Sequence, residues 1–113
     1  MSFKLKKSDG ISLIEINFDV TTGNISELKQ LVNEILVKEN PLLVFKFLPG
    51  ATFLCSAGIG LIATIYKEIT KKNGKMAMCG MSMDINEIFE RVRLNHLIKS
   101  FKEEEDAVKY VKS

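Results

Sequence analysis

Apolar residues recur along this chain with two different periods, and the switches between them mark its elements. Ile11 to Phe18 reads Ile-Ser-Leu-Ile-Glu-Ile-Asn-Phe, an alternation rich in strand formers that predicts a strand, with an earlier strand at Phe3 to Lys6. Asp9-Gly10 supplies the hairpin turn between them. Asn24, followed three residues later by Glu27, has the form of a capping box, and Ile25, Leu28, Leu31, Val32, Ile35 and Leu36 recur at helical spacing. This predicts an amphipathic helix ending near Asn40-Pro41. Leu42 to Leu48 is apolar except for Lys46, which suits a strand buried on most of both faces and ended by Pro49-Gly50.

Ile59, Ile62, Ala63, Tyr66 and Ile69 then recur every three or four residues until Lys71, Lys72 and Asn73-Gly74, a helix stop. Lys75 to Gly80 reads as a short internal strand. Asp84 with Glu87 opens a third helix bearing Ile85, Ile88, Phe89 and Val92 on one face, and Leu97 to Phe101 gives a last strand. Glu103 to Asp106 places acidic side chains in the first turn of a terminal helix, where the dipole favours them. Strands alternating with helices predict an α/β fold: a mixed, mostly parallel sheet with helices packed against it.

The 113 residues are enough for one domain and too few for two. With 46% hydrophobic and 27% charged residues the chain can bury one core, which excludes disorder and collagen-like repeats. Sixteen Lys+Arg against fourteen Asp+Glu leave +2, and no segment concentrates enough charge for a nucleic-acid footprint. Cys55 and Cys79 lie far apart without a CxxC or histidine companion, so neither a zinc site nor a disulfide framework is indicated, and a cytoplasmic location is expected. Met1 to Gly10 contains Lys4, Lys6, Lys7 and Asp9 and lacks the apolar run of a secretory signal. Phe47 to Tyr66 is uncharged and long enough to cross a bilayer. Pro49-Gly50, Gly58 and Gly60, with Thr52, Ser56 and Thr64, divide it into strand, turn and helix start, so membrane insertion is not expected.

Candidate chemistry is sparse. His96, the one histidine, stands near a helix end as a solvated residue, and no metal ligands at matched spacing accompany it. No metal or cofactor is therefore expected. Cys55 precedes a helix whose dipole would favour its thiolate, but no partner base is evident and a small, partly buried residue is the plainer reading. Met76 and Met78 sit within a strand as core, whereas Met81 and Met83 could be exposed and adhesive. The acidic run after Lys102 reads as a solvated first turn, because consecutive carboxylates on a helix diverge.

The remaining feature is Phe53-Leu-Cys-Ser-Ala-Gly-Ile-Gly60 between a strand and a helix. Ser56 falls where an N-cap belongs, at a helix start whose free N–H groups and dipole favour an anion. Gly58 and Gly60 leave that start without side chains. The residues alone leave two readings open: a phosphorylatable contact surface, or a capping serine with two packing glycines.

Cys55-Ser56-Ala57-Gly58-Ile59-Gly60 resembles the Asp-Ser-Ser/Thr-Gly-Leu/Ile-Gly signature of the STAS-domain family of bacterial anti-sigma-factor antagonists. The resemblance continues through Tyr66-Lys67, Asn73-Gly74-Lys75, Gly80-Met81-Ser82, Ile88-Phe89, Leu94 and Phe101, covering nearly the whole chain from Gly10 onward. It implies a single STAS domain over residues 1–113 that is not itself an enzyme. Its implied partners are an anti-sigma factor with serine-kinase activity and a serine phosphatase. The signature's first serine, here Ser56, implies the phosphorylation site, and the binding surface carried over is Asp19, Cys55, Ser56, Ala57, Gly58, Ile59, Gly60, Met81 and Ser82. The chain departs from the family pattern in three respects: within the signature, before the first helix and at the end of the third. Cys55 replaces the aspartate and Ala57 the second hydroxyl residue; Phe18-Asp19 resembles a Leu-Asp pair but lies about two residues further from Leu28 than expected; Arg93 stands where a glycine is usual. Two alternatives stay open: a STAS subunit of another assembly, such as a lipid-transport complex or stress-signalling scaffold, and a cysteine-dependent enzyme using Cys55.

Overall fold

The computed structural model describes residues 3–113; Met1 and Ser2, the first two residues of the expected domain, lie outside them. Five strands, β1 (Lys4–Ser8), β2 (Ile11–Ile16), β3 (Leu42–Phe47), β4 (Lys75–Cys79) and β5 (Lys99–Phe101), lie side by side in chain order. β1 runs antiparallel to β2 through a turn in which Asp9 and Gly10 both have positive φ, the geometry their sequence favours. The other pairings are parallel. Between them run α1 (Ile25–Leu36), α2 (Ser56–Lys71) and α3 (Met83–Arg91), followed by a 3₁₀ turn at Leu94–His96 and by α4 (Glu104–Lys112).

Strand alternation divides the core. Ile14, Ile16, Leu43, Phe45, Phe47, Met76 and Met78 pack with the buried faces of α1, α2 and α3. Ile11, Leu13, Val44, Ala77 and Cys79 face the other way, against Ala107 and Val111 of α4. Both faces of β3 and β4 are thus covered, which explains the nearly continuous apolar runs. On the α4 face Lys6 bonds Glu15 at 3.0 Å and Lys46 bonds Glu104 at 2.7 Å. Burial, reinforced by nearby Glu104, pushes the Cys79 thiol up to about 11, so it is an inert core residue.

Several boundaries differ from the sequence expectation. β2 stops at Ile16, and Phe18 stacks on Phe3 at 4.8 Å between ring centroids. α1 ends at Leu36, short of the expected Asn40-Pro41; Asn40 lies in the following turn with a left-handed φ and donates its N–H to the Lys72 carbonyl. The last strand begins at Lys99, residues 94–96 forming the 3₁₀ turn. α3 is capped by Ser82, whose hydroxyl accepts the Ile85 N–H at 3.2 Å. α2 stops as expected: Asn73 is left-handed, and the Asn73 and Gly74 N–H groups return to the Thr70 and Ile69 carbonyls.

Candidate functional site

The loops leaving β2 and β3 keep the parallel course of their strands. Val20 pairs with Leu54: the Val20 N–H donates to the Phe53 carbonyl at 3.0 Å and the Cys55 N–H to the Val20 carbonyl at 2.9 Å. Side chains fasten the same seam. Asn17 Oδ1 accepts the Gly50 N–H at 3.1 Å, and Asp19 Oδ1 accepts both the Thr52 N–H at 2.9 Å and its hydroxyl at 3.2 Å. These contacts bring Asp19 beside the segment leading into α2, although the two are 33 residues apart in sequence. Asn24 joins in. Instead of capping α1, its Oδ1 accepts the Thr21 N–H and its Nδ2 donates to the Asp19 carbonyl, so the expected capping box is absent.

The start of α2 is displaced by one residue from the sequence expectation. Cys55, in extended backbone, is the N-cap, and its Sγ accepts the Gly58 N–H at 3.4 Å. Ser56 is the first helical residue and is exposed, as is Ala57. Among the described residues their N–H groups have no acceptor, and the first turn contains no carboxylate. The positive end of the helix is therefore open around the serine hydroxyl.

The two glycines separate in role. Gly58 is buried, and a Cβ there would lie 2.9 Å from Val20 Cγ1, so it is a packing position that lets α2 meet the β2–α1 loop and not the bare surface expected. Gly60 is exposed, with nothing within 4 Å of a Cβ. It lies with Ala57, Leu61 and Thr64 along a groove of about 400 Å³ whose opposite wall is Ile25, Ser26 and Lys29 of α1. Ile59 is half-buried against the core.

Met81 and Ser82 arrive from the β4–α3 turn. Gly80 has φ +72, and a Cβ there would meet the Phe47 carbonyl oxygen, so only glycine brings this turn against the end of β3. The two residues are half-buried and lie at the carboxyl edge of the sheet, the edge from which β3 leads to α2. Two exposed apolar residues stand near these turns, Phe53 before α2 and Met83 as the first residue of α3. Phe53, 49% exposed, was visible in sequence only as an aromatic in a loop before a helix; of the two methionines expected to be exposed, Met83 is, at 81%, whereas Met81 is half-buried against the core. Among the described residues no three His, Cys, Asp or Glu side chains gather to hold a metal, and no helix is long and apolar enough to cross a membrane.

The chain is thus an open, mostly parallel α/β sheet that carries the serine-led start of α2 at its carboxyl edge. The chain belongs to the STAS domain family, whose model matches residues 2–107. Among solved structures it resembles a Thermotoga maritima protein assigned as an anti-sigma factor antagonist, with 20% identity, TM-score 0.89 and coverage of 98% of this chain and 95% of that one. An anti-sigma factor antagonist from Mycobacterium paratuberculosis is 18% identical with TM-score 0.86, over 99% of this chain and 94% of that one. The Bacillus cell fate determinant SpoIIAA in its phosphorylated form is 15% identical with TM-score 0.72, over 97% and 99%. At these identities the likeness is one of fold.

Proposed function

We propose that this STAS domain is an anti-sigma-factor antagonist, a cytoplasmic protein-binding switch and not an enzyme. It binds an anti-sigma factor with serine-kinase activity through the start of α2 and the adjoining loops. Phosphorylation of Ser56 releases that partner, and a serine phosphatase restores binding. The observation that carries this reading is the place of Ser56: exposed, first in α2, beside N–H groups without acceptors and with no carboxylate in the turn.

The physics of such a switch has two parts. A phosphate on Ser56 adds about −1.5 to −2 charges, which the open helix end favours, so the domain stays folded. The partner must desolvate the same helix end, and a doubly charged group without a matching cation costs it several kcal/mol, roughly a hundredfold or more in affinity. Cys55 in place of the family aspartate leaves the cap in place through its thiol, but removes a carboxylate next to the modified hydroxyl.

Titration calorimetry with the purified anti-sigma factor tests this. Unmodified protein and Ser56→Ala are expected to bind alike, phosphorylated protein to lose binding, and Ser56→Asp to weaken it less completely, all four retaining cooperative melts. Equal affinity of the phosphorylated and unmodified forms sinks the switch.

A further inference from the structure

The connections that leave the sheet at its carboxyl edge do not all turn the same way. β2, β3 and β4 lead to α1, α2 and α3, whose buried residues Leu28, Ile62 and Phe89 pack on one face. β5 leads to α4, whose Ala107 and Val111 pack on the other. β4 and β5 are parallel neighbours, and among the described residues theirs is the one place where adjacent strands send the chain to opposite faces. Such a reversal parts the two connections and leaves a crevice beyond the strand ends, the position at which open α/β sheets bind ligands.

A cavity of about 400 Å³ stands at that position. Its lining is Gly80 and Met81 from the β4–α3 turn, Asn86 from α3, Ser100 and Phe101 from β5, and Lys102 just beyond it. That volume is within the range of small-molecule sites. The walls are fixed without an occupant. The Gly80 N–H donates to the Phe101 carbonyl at 3.2 Å, which ties the two connections together, and the Ser82 hydroxyl and carbonyl accept the Ile85 and Asn86 N–H groups, at 3.2 and 2.9 Å, which anchors the first turn of α3.

Three polar side chains in the lining are unused. Among the described residues the Asn86 amide, the Ser100 hydroxyl and the Lys102 ammonium enter no hydrogen bond and no ion pair. All three can donate, and Lys102 is the one charged residue of the lining. The carboxylates nearest in sequence, Asp84, Glu87 and Glu103, are not part of it. A cavity at the amino end of the sheet makes the contrast: its charged lining, Lys7 and Lys38 with Asp9 and Glu39, is balanced and favours neither sign.

We propose that the crevice between the β4–α3 and β5–α4 connections binds a small organic anion, whose carboxylate or phosphate group is held by Lys102, Ser100 and Asn86. An oxyanion accepts from several donors at once and forms charge-assisted bonds with an ammonium, which suits three unused donors around a single positive charge. Met81 and Phe101, both half-buried, offer apolar surface to the rest of the molecule. The proposal does not rest on Ser56, which begins the helix of another connection.

Two probes, succinate and glycerophosphate, titrated separately into the isotope-labelled full chain at constant ionic strength and followed through its amide NMR signals, provide the test. Saturable shifts are expected at Gly80, Met81, Asn86, Ser100 and Lys102 with at least one probe, at a Kd of about 1 mM or tighter, and the tighter probe identifies the favoured oxyanion. Lys102→Gln is expected to weaken binding about tenfold and Ser100→Ala a few-fold. Lys109→Gln removes the same charge from α4, outside the crevice, and should bind as the parent does. All three side chains are exposed and form no bond to the rest of the fold, so the variants should melt as the parent does. Absence of saturable shifts with both probes overturns the proposal, as do shifts centred on the start of α2 and parent-like binding by Lys102→Gln. Equal losses in Lys102→Gln and Lys109→Gln overturn it as well, because they would reduce the binding to diffuse attraction between an anion and a positively charged chain.

Discussion

Gly58 and Gly60, two residues apart in the first turns of α2, show how little a residue's identity says about its role. Both weaken a helix by about 1 kcal/mol relative to alanine. At Gly60 that penalty stands alone, since an added Cβ meets nothing within 4 Å; at Gly58 it is set against an approach of 2.9 Å to the buried Val20. Overpacking a stiff β-branched neighbour typically costs about 1–3 kcal/mol, more than the helix gains. Gly60→Ala is therefore expected to stabilise the protein by about 0.5–1 kcal/mol, and Gly58→Ala to destabilise it by about 1 kcal/mol. Urea unfolding of the two variants checks this, and stabilisation by both would show that Val20 yields freely. Cys55 makes the same point: read as a small residue before the cap, it is the cap.

Among elements, the charges on the α4 face form a ladder that follows strand register. Glu15 stands opposite Lys4 on β1 and opposite Lys46 on β3, bonds Lys6, and the chain of contacts ends at the Lys46–Glu104 pair. The Lys6 hydrogen bond, helped by the surrounding lysines, holds the Glu15 carboxyl below its ordinary range. Glu104 correspondingly raises Lys46. A carboxyl lowered on folding contributes stability that is complete above its unfolded pKa of about 4.3 and is lost as pH falls through the folded value. Glu15→Gln is expected to cost less than about 1 kcal/mol at neutral pH and to flatten the acid limb of the stability curve below about pH 4.3. Thermal melts from neutral pH downward measure it; an unchanged acid limb would mean that the ladder contributes nothing through Glu15.

At the scale of the whole molecule the sheet has two edges. A sheet in chain order leaves β1 and β5 each with one unpaired side. β5 is only three residues long, whereas β1 is five residues long and bears Lys4, Lys6 and Lys7. Short length and lysines are two standard ways to discourage strand addition. Lys4→Val combined with Lys7→Val leaves the Lys6–Glu15 pair intact and should change the melting temperature little, while producing concentration-dependent self-association. Sedimentation velocity of parent and variant tests this, and a monomeric variant at high concentration would show that the lysines do not guard the edge. The same architecture leaves the carboxyl edge for loops, and there α2, the β2–α1 loop and the β4–α3 turn gather the candidate binding residues.

Periodicity was sufficient for the order and type of the elements, because it records which side chains face a core and needs no knowledge of what lies opposite. Asp9-Gly10 and Asn73-Gly74 were legible as stops for the same local reason: left-handed backbone is written into the residue types. The motif at Cys55–Gly60 located the start of α2 to within one residue. Tertiary structure decided the rest. Whether Asn24 caps a helix or ties a loop, whether Asp19 is free or bound to Thr52, and which glycine is buried all depend on the pairing of two loops distant in sequence. A hydrogen-bond donor takes the acceptor that folding brings to it, and a side chain's own spacing does not encode that partner. Ser56 itself was legible from the chain, but its open helix end was not, since that openness is made by neighbours that leave its N–H groups without acceptors.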